Sequence, residues 1–198
     1  MIYINLPLLK NLFSFSLLLL SLVLNNSCNK SETEETICGG KSRWDEKTLN
    51  DSKESQINFN PLRTTIAYLI STKPSKTITN STLRFGIELN TYTFECRIKD
   101  YRLEEDGDYH IVLTDLIDKS KTMIGEIPNP NCSSVQKSKH NYQFLEARKF
   151  FENCLFKSKL DTGVYIISGV AFYDIVHGQL GVAPNGIEIH PILNFSKK

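Results

Sequence analysis

The chain has 198 residues, 40% of them hydrophobic, which suits one ordinary core plus extensions. Its net charge is +1, so no global field draws it to nucleic acid or to a membrane surface. No internal repeat is visible.

The first segment reads as a targeting signal, not as part of the fold. Lys10 supplies a sparse positive region, and residues 12–24 form an apolar run that is short for a membrane span. The run ends in Leu24-Asn25-Asn26-Ser27-Cys28. This resembles a bacterial lipoprotein signal, in which a small residue precedes the Cys that is lipidated and becomes the mature N-terminus. Asn25 and Asn26 depart from the small or apolar residues usual there. The resemblance implies removal of residues 1–27, lipidation of Cys28, export, and anchoring to a membrane of the bacterial cell envelope. The plainer alternative is a cleaved signal with a stray Cys. Residues 28–60 are polar and charged with few large apolar side chains, a composition that cannot bury enough surface to fold alone. They read as a flexible tether, with Trp44 solvated, and the domain is expected over 61–198.

In the domain, Thr64 is placed to cap a short helix over residues 65–70, although the β-branched content there leaves a strand open. Residues 73–82, with Pro74 and many Ser and Thr, form a loop. From Leu89 the alternation is clean: Tyr92, Phe94, Cys96 and Ile98 share one face, and Thr93, Glu95, Arg97 and Lys99 the other. That strand is expected to run to Leu103. An acidic turn at 104–108 leads to strands at 109–115 and 122–127, after which Pro128 and Pro130 stop the sheet. Residues 133–141 read as a polar loop. From Tyr142 to Phe156 the period becomes helical, with Phe144, Ala147, Phe151, Cys154 and Leu155 on one face. Strands at 164–172 and 187–193 close the domain. Between them, residues 174–186 carry Gly178, Gly181, Pro184 and Gly186, so they form a loop.

The order is three strands, a helix, two strands. The predicted class is therefore mainly β with one helix (α+β), and the order matches the OB-fold, a five-stranded Greek-key barrel. An α+β sandwich of the same order is the rival.

Several stretches also resemble one group of proteins: residues 106–113, Asp-Gly-Asp-Tyr-His-Ile-Val-Leu; residues 122–132, Thr-Met-Ile-Gly-Glu-Ile-Pro-Asn-Pro-Asn-Cys; and His177-Gly-Gln with residues 181–191, Gly-Val-Ala-Pro-Asn-Gly-Ile-Glu-Ile-His-Pro. Together they look like an uncharacterised family of exported bacterial proteins. The similarity runs from about Tyr92 to the C-terminus. It supports the domain boundary and implies no reaction.

OB-folds hold ligands on the face of strands two and three, between the loops after strands one and four. Here those loops are 103–108 and 174–186, expected at one end of the barrel. The binding candidates on or near them are Asp106, Asp108, His110, Glu126, His177, Gln179, Asn185, Glu188 and His190. Imidazoles and carboxylates that share a face suit a metal or an acid–base pair. Each also has a structural reading: His110 as a packed histidine, Asp106 and Asp108 as turn chemistry, Glu126 and Glu188 as carboxylates needing a partner. No tight metal motif is present, and the sequence implies no particular cofactor.

Cys96 points inward and reads as a buried thiol. Cys132 and Cys154 flank the helix and are the favoured disulfide, although with Cys38 three full pairings exist. The leading function is an envelope-anchored binding module for nucleic acid, oligosaccharide or peptide, with Arg97, Lys99, Tyr101 and Arg102 supplying charge and stacking. The alternatives are a nuclease-like or other metal-assisted hydrolase, with Glu126 or Glu188 as base, and a structural envelope interaction protein.

Overall fold

The computed structural model describes residues 38–39, 42–157 and 163–198. The expected signal, the lipidation site at Cys28 and the first part of the expected tether lie outside the described residues.

One sheet of strands β1 (Asn58–Arg63), β2 (Asn90–Leu103), β3 (Tyr109–Thr114), β4 (Thr122–Ile127), β5 (Tyr165–Tyr173) and β6 (Ile187–Lys197) runs in the order β1-β2-β3-β4-β6-β5 and closes through a β2–β5 pairing. Closure comes from the length of β2. Its first half, Thr91 to Cys96, pairs with β5, and its second half, Arg97 to Leu103, pairs with β3. A register shift between Ile98 and Asp100 bends the strand where the partners change. β3 and β4 form a hairpin, β4 and β6 run parallel, and β5 and β6 antiparallel. This is the closed five-stranded barrel of an OB-like module, with helix α4 (Asn141–Lys157) between its third and fourth strands.

The alternation read from the sequence is the alternation of burial. Tyr92, Phe94 and Cys96 are buried, and they join Ile111, Leu113, Met123, Ile127, Ile167 and Ile189 in the barrel core. Helix α4 lays Ala147 and Phe151 on the same core, with Cys154 packed partly against it. Gly169 permits the close approach of β5 to β6. A Cβ there would lie 2.3 Å from Ile189 Cγ2 and 2.5 Å from the Pro191 carbonyl oxygen.

Smaller expectations are corrected. The short helix forms as α2 (Ile66–Ser71), but its cap is Thr65, which accepts from the Tyr68 N–H at 3.1 Å. Within the expected polar loop 133–141, Ser133–Lys137 forms helix α3, because buried Val135 packs with Phe144 and Cys132.

The larger correction concerns residues 28–60. From Ser42 onward this segment is a strap packed on the barrel. It contains a helical turn, α1 (Trp44–Lys47), and the extra strand β1, which joins β2 in parallel. Its few apolar residues are well spent: Leu49 and Ile57 are buried with Val135, Phe144, Val170 and Leu193. Each such burial is worth about 1.5–3 kcal/mol. Its charged residues reach inward too. Arg43 grips Glu88 with two bonds, 2.7 and 2.9 Å, and Glu88 also accepts the Tyr173 N–H at 2.8 Å. Arg84 Nε donates to Asp51 at 2.8 Å, and another of its nitrogens donates to the Glu46 carbonyl. A disulfide joins Cys38 to Cys132, with Cα atoms 5.4 Å apart. The favoured Cys132–Cys154 pairing is therefore wrong. The strap carries the partner of Cys132, and Cys154 faces the core from α4.

Candidate functional site

The turn 104–108, between β2 and β3, and the loop 174–186, between β5 and β6, lie at one end of the barrel, as the topology requires. Between them opens a cleft of ≈ 560 Å³. Its walls include Arg102, Glu104, Asp106, Ile175, His177 and Gln179, and its floor is Asp108, His110, Glu126 and His190.

The floor follows from strand register. His110 on β3 sits opposite Glu126 on β4, and Ile124 on β4 sits opposite Glu188 on β6, which brings His190 two residues further on beside Glu126. Glu126 thus bridges two histidines. Its Oε1 lies 3.1 Å from His110 Nδ1, and its Oε2 lies 3.0 Å from His190 Nδ1. His110 Nε2 lies 3.1 Å from the Leu180 carbonyl, so that nitrogen donates. Gly181 makes this contact possible. It sits at φ 83°, and a Cβ there would lie 2.5 Å from Val112, so only glycine lets the loop lie on β3. His190 Nδ1 is also 3.3 Å from Glu188 Oε1. Faced by two carboxylates, Nδ1 carries a proton and donates it.

Asp108 completes the floor. Its Oδ1 accepts the Asn129 N–H at 2.7 Å, while its Oδ2 lies 3.9 Å from His190 Nε2. That is too long for a hydrogen bond. Asp108 Oδ2 and His190 Nε2 are both fully buried, and neither has a hydrogen-bond partner among the described residues.

Burial and charge pull these groups apart. Burial pushes the Asp108 carboxyl up to about 7; the charge of His190 opposes this, and Asp106 and Glu126 add to it. Burial likewise raises Glu188 to about 7 against the pull of Lys47, with Glu126 adding to the rise. Burial alone would lower His190, but the charge and hydrogen bond of Glu126 raise it to about 9. Burial also opposes His110, which Glu126 holds above the usual imidazole range. Glu126 itself is held well below the carboxylate range: burial acts against this, and the His190 charge, both histidine hydrogen bonds and Lys47 outweigh it. The floor therefore offers one firmly ionised carboxylate beside others that exchange protons near neutral pH, a set suited to acid–base work or to holding a cation.

The strap supplies residues that the sequence did not suggest. Trp44 and Lys47 line the cleft. Trp44 is not solvated; its Nε1 donates to Ser134 at 2.8 Å. Lys47 bonds Asp174 at 2.8 Å, and its ammonium is held above its ordinary value: burial opposes, and the charges of Glu188, Glu126 and Asp174 prevail. Only the Lys and Trp side-chain types hinted at a role, and a polar context hid them.

The remaining candidates divide. Asp106 lines the cleft and also serves the turn, accepting the Asp108 N–H at 3.1 Å. His177 and Gln179 bond each other on the cleft wall at 2.6 Å. Asn185 does not join the site. Its amide donates to the Leu69 and Thr72 carbonyls at 3.0 and 2.9 Å and ties the loop to α2. Tyr101 is no outward stacking platform, because its ring meets Phe151 edge-on at 5.5 Å. Arg102 is engaged by Glu104 at 2.6 Å. Among the described residues no helix is long and apolar enough to cross a membrane. No protein-family profile and no curated protein matches the chain, so its site is known from its own geometry.

Proposed function

We propose that this protein is an exported, lipid-anchored OB-like binding module that takes a polar ligand in the cleft between loops 103–108 and 174–186. The observation that carries this reading is the convergence of both loops, and of strap residues Trp44 and Lys47, on one cleft of ≈ 560 Å³. That volume lies within the range of small-ligand sites.

The charge of the walls selects among ligands. Glu104, Glu105, Asp106 and Asp174 line the opening, against Lys47 and Arg102, which are already paired with Asp174 and Glu104. An anionic rim repels phosphates, so a segment of neutral oligosaccharide or a basic peptide fits better than nucleic acid. Export is supported by the Cys38–Cys132 bond, since disulfides persist in oxidising compartments. Anchoring rests on the signal-like segment ending at Cys28.

The test is a binding panel of neutral oligosaccharides, basic peptides and single-stranded DNA on the purified protein. His177→Ala is expected to weaken the sugar or peptide interaction and leave the melt unchanged. Retention of DNA alone would overturn the ligand class. In cells, Cys28→Ala is expected to release the protein from membranes, and persistent membrane partitioning would overturn the anchor.

A second reading has one observation in its favour. Glu126 and His190 stand in contact on the floor, beside Asp108 and Glu188, whose carboxyls titrate near neutral pH. Such a set, given a metal ion, suits a metal-assisted hydrolase with a floor carboxylate as base.

A further inference from the structure

We propose that Asp108, Glu126 and His190 form a binding site for one divalent transition-metal ion of the Zn²⁺ or Mn²⁺ class. The inference stands on the floor of the cleft and holds whichever organic ligand the walls take.

The first observation is a pair of unmet donor atoms. Buried polar atoms are nearly always satisfied, and an orphan signals a missing partner. His190 is 0% exposed and Asp108 is 1% exposed, yet His190 Nε2 and Asp108 Oδ2 meet no partner among the described residues. They face each other across 3.9 Å. Two ligand bonds of about 2.0–2.2 Å each reach across that gap through one ion.

The second observation is how His190 is held. Its Nδ1 lies 3.0 Å from Glu126 and 3.3 Å from Glu188. A histidine that ligates through one nitrogen donates the other N–H to a carboxylate, which fixes the ring and the tautomer. Here that grip leaves Nε2, turned toward Asp108, as the nitrogen that gives up its proton when an ion binds. If Glu126 turns an oxygen to the ion, Glu188 still accepts the Nδ1 proton. Asp108 is held in the same manner, with Oδ1 fixed by the Asn129 N–H at 2.7 Å and Oδ2 left over.

The third observation is composition. Ligand atoms from Asp108, Glu126 and His190 all lie within 4.8 Å of one another. One imidazole with carboxylates and no thiolate suits Zn²⁺ or Mn²⁺ over soft ions such as Cu(I). Charge agrees: the carboxylates of Glu104, Asp108, Glu126, Asp174 and Glu188 gather at this end of the barrel, and Lys47 is the cation the strap brings to them. A divalent ion would offset that excess. The site also opens to the cleft, so a fourth position would face whatever ligand the walls admit.

The rival account is a water molecule bridging Oδ2 and Nε2, and the experiment separates the two. The purified protein, stripped with EDTA, is titrated calorimetrically with Zn²⁺, Mn²⁺ and Mg²⁺, and its melt is followed with and without each ion. The expected result is one equivalent of Zn²⁺ or Mn²⁺ bound in the micromolar range or tighter, with a raised melting temperature. Asp108→Asn and His190→Gln are expected to bind at least about 100-fold more weakly, beyond the loss typical of an outer partner. Glu146→Gln, an exposed carboxylate on α4, is expected to bind as the wild type does. A correctly melting wild type that takes up none of the ions would overturn the proposal in favour of the water. Binding that survives in Asp108→Asn but is lost in His110→Gln would overturn it in favour of Glu104, His110 and Glu126.

Discussion

The strap and the cleft floor both bury charged side chains, and they are built on opposite terms. In the strap, charge meets charge. Arg43 and Glu88 form a bidentate pair, the Arg43 guanidinium lies 4.4 Å from the Phe172 ring centroid, and both Glu88 oxygens accept further backbone N–H groups. The polar atoms left over there are Ser42 Oγ, Arg43 Nε and Arg84 Nη1, and the last two belong to cations whose charge is already matched. On the floor, carboxylates meet carboxylates around two histidines, and the leftovers, Asp108 Oδ2 and His190 Nε2, face each other. A buried pair that is complete holds a fold together. A buried set that is incomplete costs stability, and it persists where something outside the chain completes it.

Removing the strap is expected to have the largest effect. Deleting residues 1–60 discards the Cys38–Cys132 bond, the Arg43 and Asp51 ion partners and two buried apolar anchors. The expected loss is more than about 5 kcal/mol, comparable to the whole stability of a domain. Circular-dichroism melts should show an unfolded or barely cooperative chain, and a melt equal to the parent would mean that the strap rests on the barrel without supporting it.

Glu88→Ala is the next largest. It leaves Arg43 buried without its counter-charge, at an expected cost of about 3–5 kcal/mol by denaturant titration. Replacing both partners, Arg43→Met with Glu88→Leu, should recover most of that loss, because two apolar groups leave no stranded charge. A double variant as weak as the single one would show that the backbone bonds to Glu88, not the ion pair, hold this corner. Cys38→Ser follows. It opens a link spanning 94 residues and is expected to cost about 2–4 kcal/mol if the strap otherwise stays docked.

The same contrast governs what the sequence revealed. The barrel was legible because its signals are local. Alternation at Tyr92, Phe94 and Cys96 and the change to helical period at Phe144 each lie within one element. Given the OB-like order, the placement of His110, Glu126, Glu188 and His190 near the two loops was legible as well, since strand register carries it. The strap was not. Arg43 finds Glu88 45 residues away, and Arg84 finds Asp51 33 residues away. A charged residue whose partner is that distant reads as solvated, and so the segment read as a tether. Cys132 posed the same difficulty, since thiol pairing depends on a contact that no local pattern encodes. Asn185 erred the other way. A polar residue in a Gly-rich loop reads as functional, whereas its amide satisfies the carbonyl ends of α2.

The smallest expected effect has the opposite sign. Asp108→Asn should stabilise the metal-free protein at pH 8. In the wild type, burial raises the Asp108 carboxyl to about 7, with Asp106 and Glu126 adding to the rise and His190 and the Asn129 N–H opposing it. The unfolded chain titrates near the ordinary aspartate value, so between about pH 4 and 7 the folded state holds a proton that the unfolded state has released. Stability is therefore fully present below about pH 4 and falls as pH rises through about 7. Asparagine stays neutral, and its carbonyl oxygen can still accept the Asn129 N–H. The gain expected at pH 8 is about 1–3 kcal/mol, shrinking toward zero near pH 4. Denaturant titrations of both chains across that range, in EDTA, measure it directly. A variant less stable than the wild type at pH 8 would mean that the carboxylate serves the fold, as Glu88 does, and would remove the contrast between strap and floor.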